Sequence, residues 1–224
     1  MPTKVGATGM IMEHFYRRRL PHWEVDDAWY FITFRLYGSI PAAQFARWET
    51  AWERQRLDLV RRHGVLSATL EQALVEERQQ VVNDYLDSQF HVRYLEQPAA
   101  ANAFIHNLVD GTRTMYDLGP WVSMPNHVHL IFKPKIDKHG EPVRLARIMQ
   151  HIKGASAIAI NRALQRSGTF WQPESYDHII RNAAEFERKA HYIENNPVKA
   201  GLCVEAEAWP WSSASRLLAD SELP

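Results

Sequence analysis

Two strand-like runs, residues 113–123 and 127–133, are separated only by Met124-Pro125-Asn126. So short a link reads as an antiparallel hairpin, and Pro134 stops its second strand. Trp29 to Tyr37 (WYFITFRLY), aromatic and β-branched and ending at Gly38, reads as a further buried strand, and Ser175 to Arg181 as a last short one. Helical periodicity fills the intervals. From Pro41 to Gly64 the stripe is Phe45, Trp48, Trp52 and Leu59, and from Thr69 to about Phe90 it is Leu70, Leu74, Val81 and Tyr85. Pro98 and Gly111 bracket a third helix. A long one runs from about Val143 to Gln165, with Ala155, Ala159 and Ala163 giving it a face small enough to pack closely. Asn182 followed by Glu185 has the form of an N-cap with an acidic third residue, and Pro197 predicts an end near Asn195 or Asn196. The expectation is one α+β domain over 14–224, carrying a helical insertion at about 39–97 and preceded by a flexible N-terminus at 1–13.

A chain of 224 residues, 46% of them hydrophobic, can bury a core without a staple. Its one cysteine, Cys203, excludes an intrachain disulfide, a cysteine-based zinc finger or an iron–sulfur cluster, and fits a reducing cytoplasm. No run is apolar enough to span a bilayer, so no membrane association is expected. The 26 basic and 26 acidic side chains balance, which argues against a nonspecific nucleic-acid binder. Charge is nevertheless uneven: residues 1–22 hold four basic and one acidic side chain, and 98–172 hold nine and four.

His127 and His129 are two apart in the second hairpin strand and therefore share a face, with Val128, Leu130 and Phe132 turned to the other side. Two imidazoles so placed can chelate one divalent ion; they can equally be two polar residues on a half-exposed strand. In the last helix Tyr192 and Asn196 lie four apart on one face, at the border of the Phe186/Ala190/Ile193 stripe. A boundary tyrosine and a helix-ending asparagine would look the same.

Taken together, WVSMPNHVHLIF, FWQPESYDHIIRN, YIENNPVKAGL and WPWSS, with YRRRLPHW and WYFITFRL ahead of them, resemble the REP-associated tyrosine transposases. These are relatives of the single-tyrosine HUH transposases of bacterial insertion sequences, with an IS200-like transposase domain. The resemblance covers roughly 14–37 and 98–213; the stretch 39–97 is the weakly matched part. It implies a ferredoxin-like antiparallel sheet, the HUH endonuclease fold, with His127 and His129 as metal ligands, Tyr192 as nucleophile and Asn196 as a third ligand through its amide oxygen. It also implies Mg²⁺ or Mn²⁺, and attack of Tyr192 on a single-stranded DNA phosphate to give a 5′-phosphotyrosine and a free 3′-hydroxyl, which needs no ATP. Lys189, one turn before Tyr192, is a candidate to assist deprotonation.

The expected partner is single-stranded or hairpin DNA of the REP palindrome type, bound by a monomer or a homodimer at the nucleoid in the cytoplasm. Arg17, Arg18 and Arg19, with Trp23 nearby, combine phosphate-neutralising groups with a platform for unpaired bases, and His151 and Lys153 on the long helix are candidates to reach the cleaved strand's backbone. Asp177 and His178 read as structural strand residues. One alternative is a catalytically silent, domesticated hairpin-binding protein that keeps the fold. Another, a water-using two-histidine phosphoesterase, lacks its paired H-x-[ST] motifs in this chain.

Overall fold

A computed structural model describes residues 12–17 and 21–216. It is built on four antiparallel strands: β3 (Trp29–Arg35), β4 (Tyr116–Ser123), β5 (His127–Pro134) and β6 (Tyr176–Ile180), in the order β4-β5-β3-β6. Helices follow β3 and β5, so the strand and helix succession is that of the ferredoxin-like α+β fold. Two strands precede the first one expected. β1 (Met12–Arg17) and β2 (Pro21–Val25) pair as a separate antiparallel ribbon, which a first strand expected only at Trp29 did not include.

The period of two along β3 and β5 divides the molecule into layers. Tyr30, Ile32, Phe34, Val128, Leu130 and Phe132 enter the larger core. There they meet α3 (Pro98–Gly111) and a helical rod made of α4 (Leu145–Gln150), a π turn (His151–Ala155) and α5 (Ser156–Ala163). The rod is therefore shorter than the 143–165 expected and is not α-helical throughout. At its middle the Ser156 hydroxyl bonds back to the Ile152 carbonyl and accepts the Trp171 indole N–H at 3.0 Å, a side-chain bond of the kind that disturbs a helical ladder. The opposite face carries Phe31 and Ile131, covered by α6 (Ala183–Lys199) through Ile193. The C-terminal WPWSS segment clips on beside β4: the Ser123 N–H reaches Trp211 O at 2.8 Å, and Trp209 Nε1 reaches Ser123 O at 3.0 Å.

α6 starts as expected, with Asn182 Oδ1 accepting the Glu185 N–H at 2.9 Å. It does not stop at Asn196. Pro197 sits inside its last turn, where the helix closes through Leu202 N to Pro197 O and Gly201 N to Val198 O, with Gly201 at φ 70°. This left-handed glycine ending satisfies the carbonyls of Pro197 and Val198.

The insertion is a helical hairpin, α1 (Ala42–His63) and α2 (Ala68–Ser88). Trp48 meets Trp52 with ring centroids 6.0 Å apart and Tyr85 at 5.2 Å, which zips the expected α1 stripe onto α2. The α2 stripe differs from expectation. Val81 is exposed, and the buried residues are Leu74, Asn83, Leu86 and Asp87. Two polar residues are buried because this face of α2 turns toward the histidine end of the sheet.

Candidate active site

Antiparallel register sets Thr33 of β3 opposite His129 and Arg35 opposite His127. Both imidazoles are fully buried, and their Nε2 atoms lie 3.0 Å apart. The hydrogen-bond chemistry around them fixes the tautomer of His127 and ties that of His129 to the Thr33 hydroxyl. Asn126 spends both amide hydrogens on the carbonyls of Leu86 (3.1 Å) and Gln89 (2.9 Å), so its Oδ1 must accept from His127 Nδ1 at 2.7 Å. His127 Nε2 is then a bare lone pair. His129 Nδ1 meets the Thr33 hydroxyl at 2.7 Å, and a hydroxyl can donate or accept. With Thr33 donating, His129 offers its Nε2–H to His127. With Thr33 accepting, two lone pairs converge on one point, an arrangement that a cation between them would stabilise.

Asp87 of α2 completes that point. Its Oδ1 is 3.5 Å from His127 Nε2, and the ligand atoms of Asp87, His127 and His129 all lie within 4.8 Å of one another. Asn196 is fully buried, and its Nδ2 donates to the Asp87 carboxylate at 3.2 and 3.4 Å. Its Oδ1 has no partner, an orphaned acceptor of the kind that buried polar groups rarely leave. Two imidazole nitrogens, a carboxylate and a free amide oxygen fit a hard or borderline divalent cation. Burial pushes His127 down to about 4 against the pull of Asp87, and Lys199 adds to the fall. Burial drives His129 well down too, helped by His127, Lys189 and Lys199. Both rings are thus neutral at pH 7, the form in which imidazole binds metal.

Tyr192 reaches this group from α6, its hydroxyl 3.4 Å from His129 Nε2 and its ring edge-on to that imidazole at 5.2 Å. Burial raises the phenol far above its ordinary value, and the charges of Asp87 and Asp84 raise it further, while the amides of Asn83 and Asn196 pull it down. Lys199 closes the far side, donating to Asp84 at 3.0 Å and Asp87 at 3.1 Å. The Lys189 ammonium lies 4.6 Å from the Phe31 ring centroid, and burial lowers it.

The structure thus brings together all four residues singled out in β5 and α6. Arg17 is in β1 and Trp23 in β2, while Arg18 and Arg19 fall outside the described residues. His151 and Lys153 are in the π turn, on the rod that packs against the other face of the sheet. Lys153 donates to the carbonyls of Gln172 and Pro173, each at 2.7 Å, and His151 Nε2 is buried without a partner. His178 is structural as expected, held by Glu185 at 2.6 Å and Glu76 at 3.3 Å. Sequence reasoning missed Thr33, Asn83 and Asp87. The last two stand with Gln79 at four-residue intervals on α2, a polar row beside Leu86, and Gln79 Nε2 donates to Asn83 at 2.7 Å.

A solved structure described as a REP-associated tyrosine transposase bound to a REP hairpin shares the fold, with a TM-score of 0.51 at 17% identity over 95% of this chain and 89% of that one. The family profile described as Transposase IS200 like matches residues 74–196, and the chain belongs to that family. It is similar to the REP-associated tyrosine transposase of Escherichia coli (strain K12), 27% identical over 109 residues, 49% of this chain and 61% of that one. A Haemophilus influenzae relative assigned to the same class is 28% identical over 98 residues, 42% of this chain and 56% of that one. The matched stretch therefore spans only about three-fifths of each curated relative's length. The profile match begins at Leu74, inside α2, so α1 lies outside the matched residues.

Proposed function

We propose that this protein is a metal-dependent single-stranded DNA endonuclease and strand transferase that acts on REP-type palindromic hairpins through Tyr192. The observation that carries the reading is the Tyr192 hydroxyl, 3.4 Å from the nitrogen of a buried histidine pair and beside an amide oxygen that has no other partner. The likeness to REP-associated transposases, one of them solved with a REP hairpin, supports the substrate class.

His127, His129, Asp87 and Asn196 would hold Mg²⁺ or Mn²⁺. When bound, such a cation would offset the Asp87 charge, leave positions for phosphate oxygens and stabilise charge growing on phosphorus. The chain's own groups do the rest. Tyr192 Oη attacks the scissile phosphorus in line, the bond from phosphorus to the 3′ oxygen breaks, and the leaving oxygen takes up a proton as a 3′-hydroxyl. The phosphate stays joined to the 5′ carbon of the downstream strand, now as a tyrosine ester, and the 3′-hydroxyl of the same or another strand reverses the step without a nucleoside triphosphate. Burial, with the charges of Asp87 and Asp84, opposes the phenolate that must form, whereas the amides of Asn83 and Asn196 favour it. Arg17, Arg18, Arg19 and Trp23 bind the hairpin in this reading. The site of action would be the nucleoid; among the described residues no helix is long and apolar enough to cross a membrane.

The test is incubation with labelled single-stranded palindromic DNA from the flanking genome plus Mn²⁺, read on a denaturing gel. A protein-linked band from the wild type, absent from Tyr192→Phe and His127→Ala and absent without metal, is expected. A band that survives in Tyr192→Phe, or hairpin binding without cleavage under every metal, would overturn the reading; the second result would leave a silent binding module.

A further inference from the structure

Between the α1–α2 hairpin and the exposed end of β3 and β6 lies a cavity of about 330 Å³ that the chemistry above does not use. Its volume is at the small end for ligand pockets, enough for one flat ring system. The walls are the rings of Phe45, Trp52 and Tyr176. Three polar groups on its lining are left wanting. Arg35 is only 9% exposed, yet among the described residues its guanidinium has only the Ser39 hydroxyl at 3.3 Å and the Phe45 ring face at 5.2 Å, and no carboxylate. Arg78 gives one nitrogen to Trp52 O at 3.0 Å, but its Nε is buried with no acceptor. Glu174 Oε2 is buried with no donor. Thr33, which holds His129, lines the same cavity.

These demands select a ligand class. A free phosphate would satisfy the arginines but not the rings, and would meet the carboxylates of Glu49, Glu53 and Glu174 that line the same cavity; a carboxylate would be repelled by those three, and a cation would leave both arginines unpaired. A nucleobase meets the two arginines and Glu174 together, because it is flat, neutral, and carries acceptors on one edge and donors on another. Guanine matches best: N7 and O6 suit an arginine fork, and N1–H with the N2 amino group suits a carboxylate. We propose that this cavity takes one unstacked base, guanine by preference, from the DNA strand that passes the Tyr192 site. The inference rests on the proposed function for the strand's presence, and on the cavity alone for the base. It also gives the helical hairpin a role, since Phe45, Trp52 and Arg78 all come from α1 and α2.

The test is isothermal titration of the whole wild-type protein in EDTA, where cleavage is silent. The probes are the single-stranded hexamers d(TTTGTT), d(TTTITT), with inosine, and d(TTTTTT), together with dGMP. The guanine hexamer should bind at least about tenfold more tightly than the other two, and more tightly than dGMP. Glu174→Ala and Trp52→Leu should each erase that preference, and unchanged melting curves would show that both variants fold; Arg35→Lys, keeping charge but losing the fork, should weaken it. Equal binding of the three hexamers would overturn the proposal, and so would a preference untouched by Glu174→Ala and Trp52→Leu. A dGMP affinity matching that of the guanine hexamer would overturn the strand part in favour of a free nucleotide. The covalent-adduct gel, run beside it, separates the two readings: adduct without base preference sinks the cavity's role alone, and preference without adduct sinks the Tyr192 reading alone.

Discussion

Replacing Thr33 by valine tests the tautomer argument at the histidine pair. Valine keeps the β-branched shape that a central strand favours, and removes only the hydroxyl 2.7 Å from His129 Nδ1. In the metal-free protein Thr33 donates to a bare Nδ1, so the variant leaves a buried acceptor unpaired. In the metal-loaded form the proton must sit on Nδ1, and the variant leaves a buried donor unpaired instead. Either orphan costs about 1–3 kcal/mol, and the donor is the less tolerated of the two. The variant should therefore melt roughly 2–12 °C lower without metal, given about 2–4 °C per kcal/mol for a chain of this size.

Metal affinity should also fall, by the excess of the donor's cost over the acceptor's. Loss of the outer partner of a histidine ligand typically weakens binding about 10–100-fold. Titration of Mn²⁺ into Tyr192→Phe protein, with and without Thr33→Val, measures this in the absence of turnover. Thr33→Ser restores the hydroxyl and should recover most of both losses. If Thr33→Val bound Mn²⁺ as tightly as its parent and melted at the same temperature, the assignment of a proton-switching role to this hydroxyl would be wrong. A serine variant as impaired as the valine one would point instead to packing.

Two further perturbations probe the frame that carries the site. A Cβ added at Gly111 would overlap the ring and hydroxyl of Tyr116, a fully buried side chain fixed by a 2.6 Å bond to Leu108 O; Gly111→Ala should cost about 1–3 kcal/mol by chemical denaturation, and a neutral result would show that the α3–β4 corner is slack. Burial works to raise the Glu185 carboxyl, but the Arg181 N–H and His178 win and hold it below its ordinary value, so its stabilisation is present above about pH 4.5 and is lost as pH falls through the lower folded value. Glu185→Gln should accordingly cost about 1–2 kcal/mol at pH 7 and progressively less toward pH 3, and a pH-independent difference in urea midpoints would contradict that coupling.

The sheet was legible because its strands carry their own signals. Trp29–Arg35 and His127–Pro134 are short aromatic and β-branched runs bounded by turn residues, and their alternation assigned the faces correctly. Strand and helix periods put the histidine pair on one face and Tyr192 with Asn196 on another, but only the resemblance to the REP-associated transposases singled them out from the bland readings. What escaped depends on contacts between distant segments. Nothing local to Asp87 distinguishes it from the exposed acids elsewhere on α2; only the tertiary placement of that helix buries it beside His127. Pro197 misled for the opposite reason, since a local rule for helix interiors was applied to a last turn in which Gly201, not the proline, sets the end. The π turn at His151–Ala155 likewise answers to Trp171, a partner fifteen residues away from Ser156.

The helical hairpin between β3 and α3 is more than an ornament on a complete catalytic fold. Without α2 the two imidazoles would lose the only carboxylate near them among the described residues, and Asn196 would lose its donor contact along with Asp87. Asn126 would lose both carbonyls that orient it, and with them the bond that holds His127 in its ligating tautomer. The wall carrying Asn83 against the tyrosine would be gone as well. Those groups come from consecutive turns of one helix and from the residue just beyond it, so a rigid shift of α2 would alter the metal ligands, the tautomer and the nucleophile together. The aromatic contacts that fasten α1 to α2 therefore act on the chemistry at a distance, through the position of α2 and not through any contact of their own with the site.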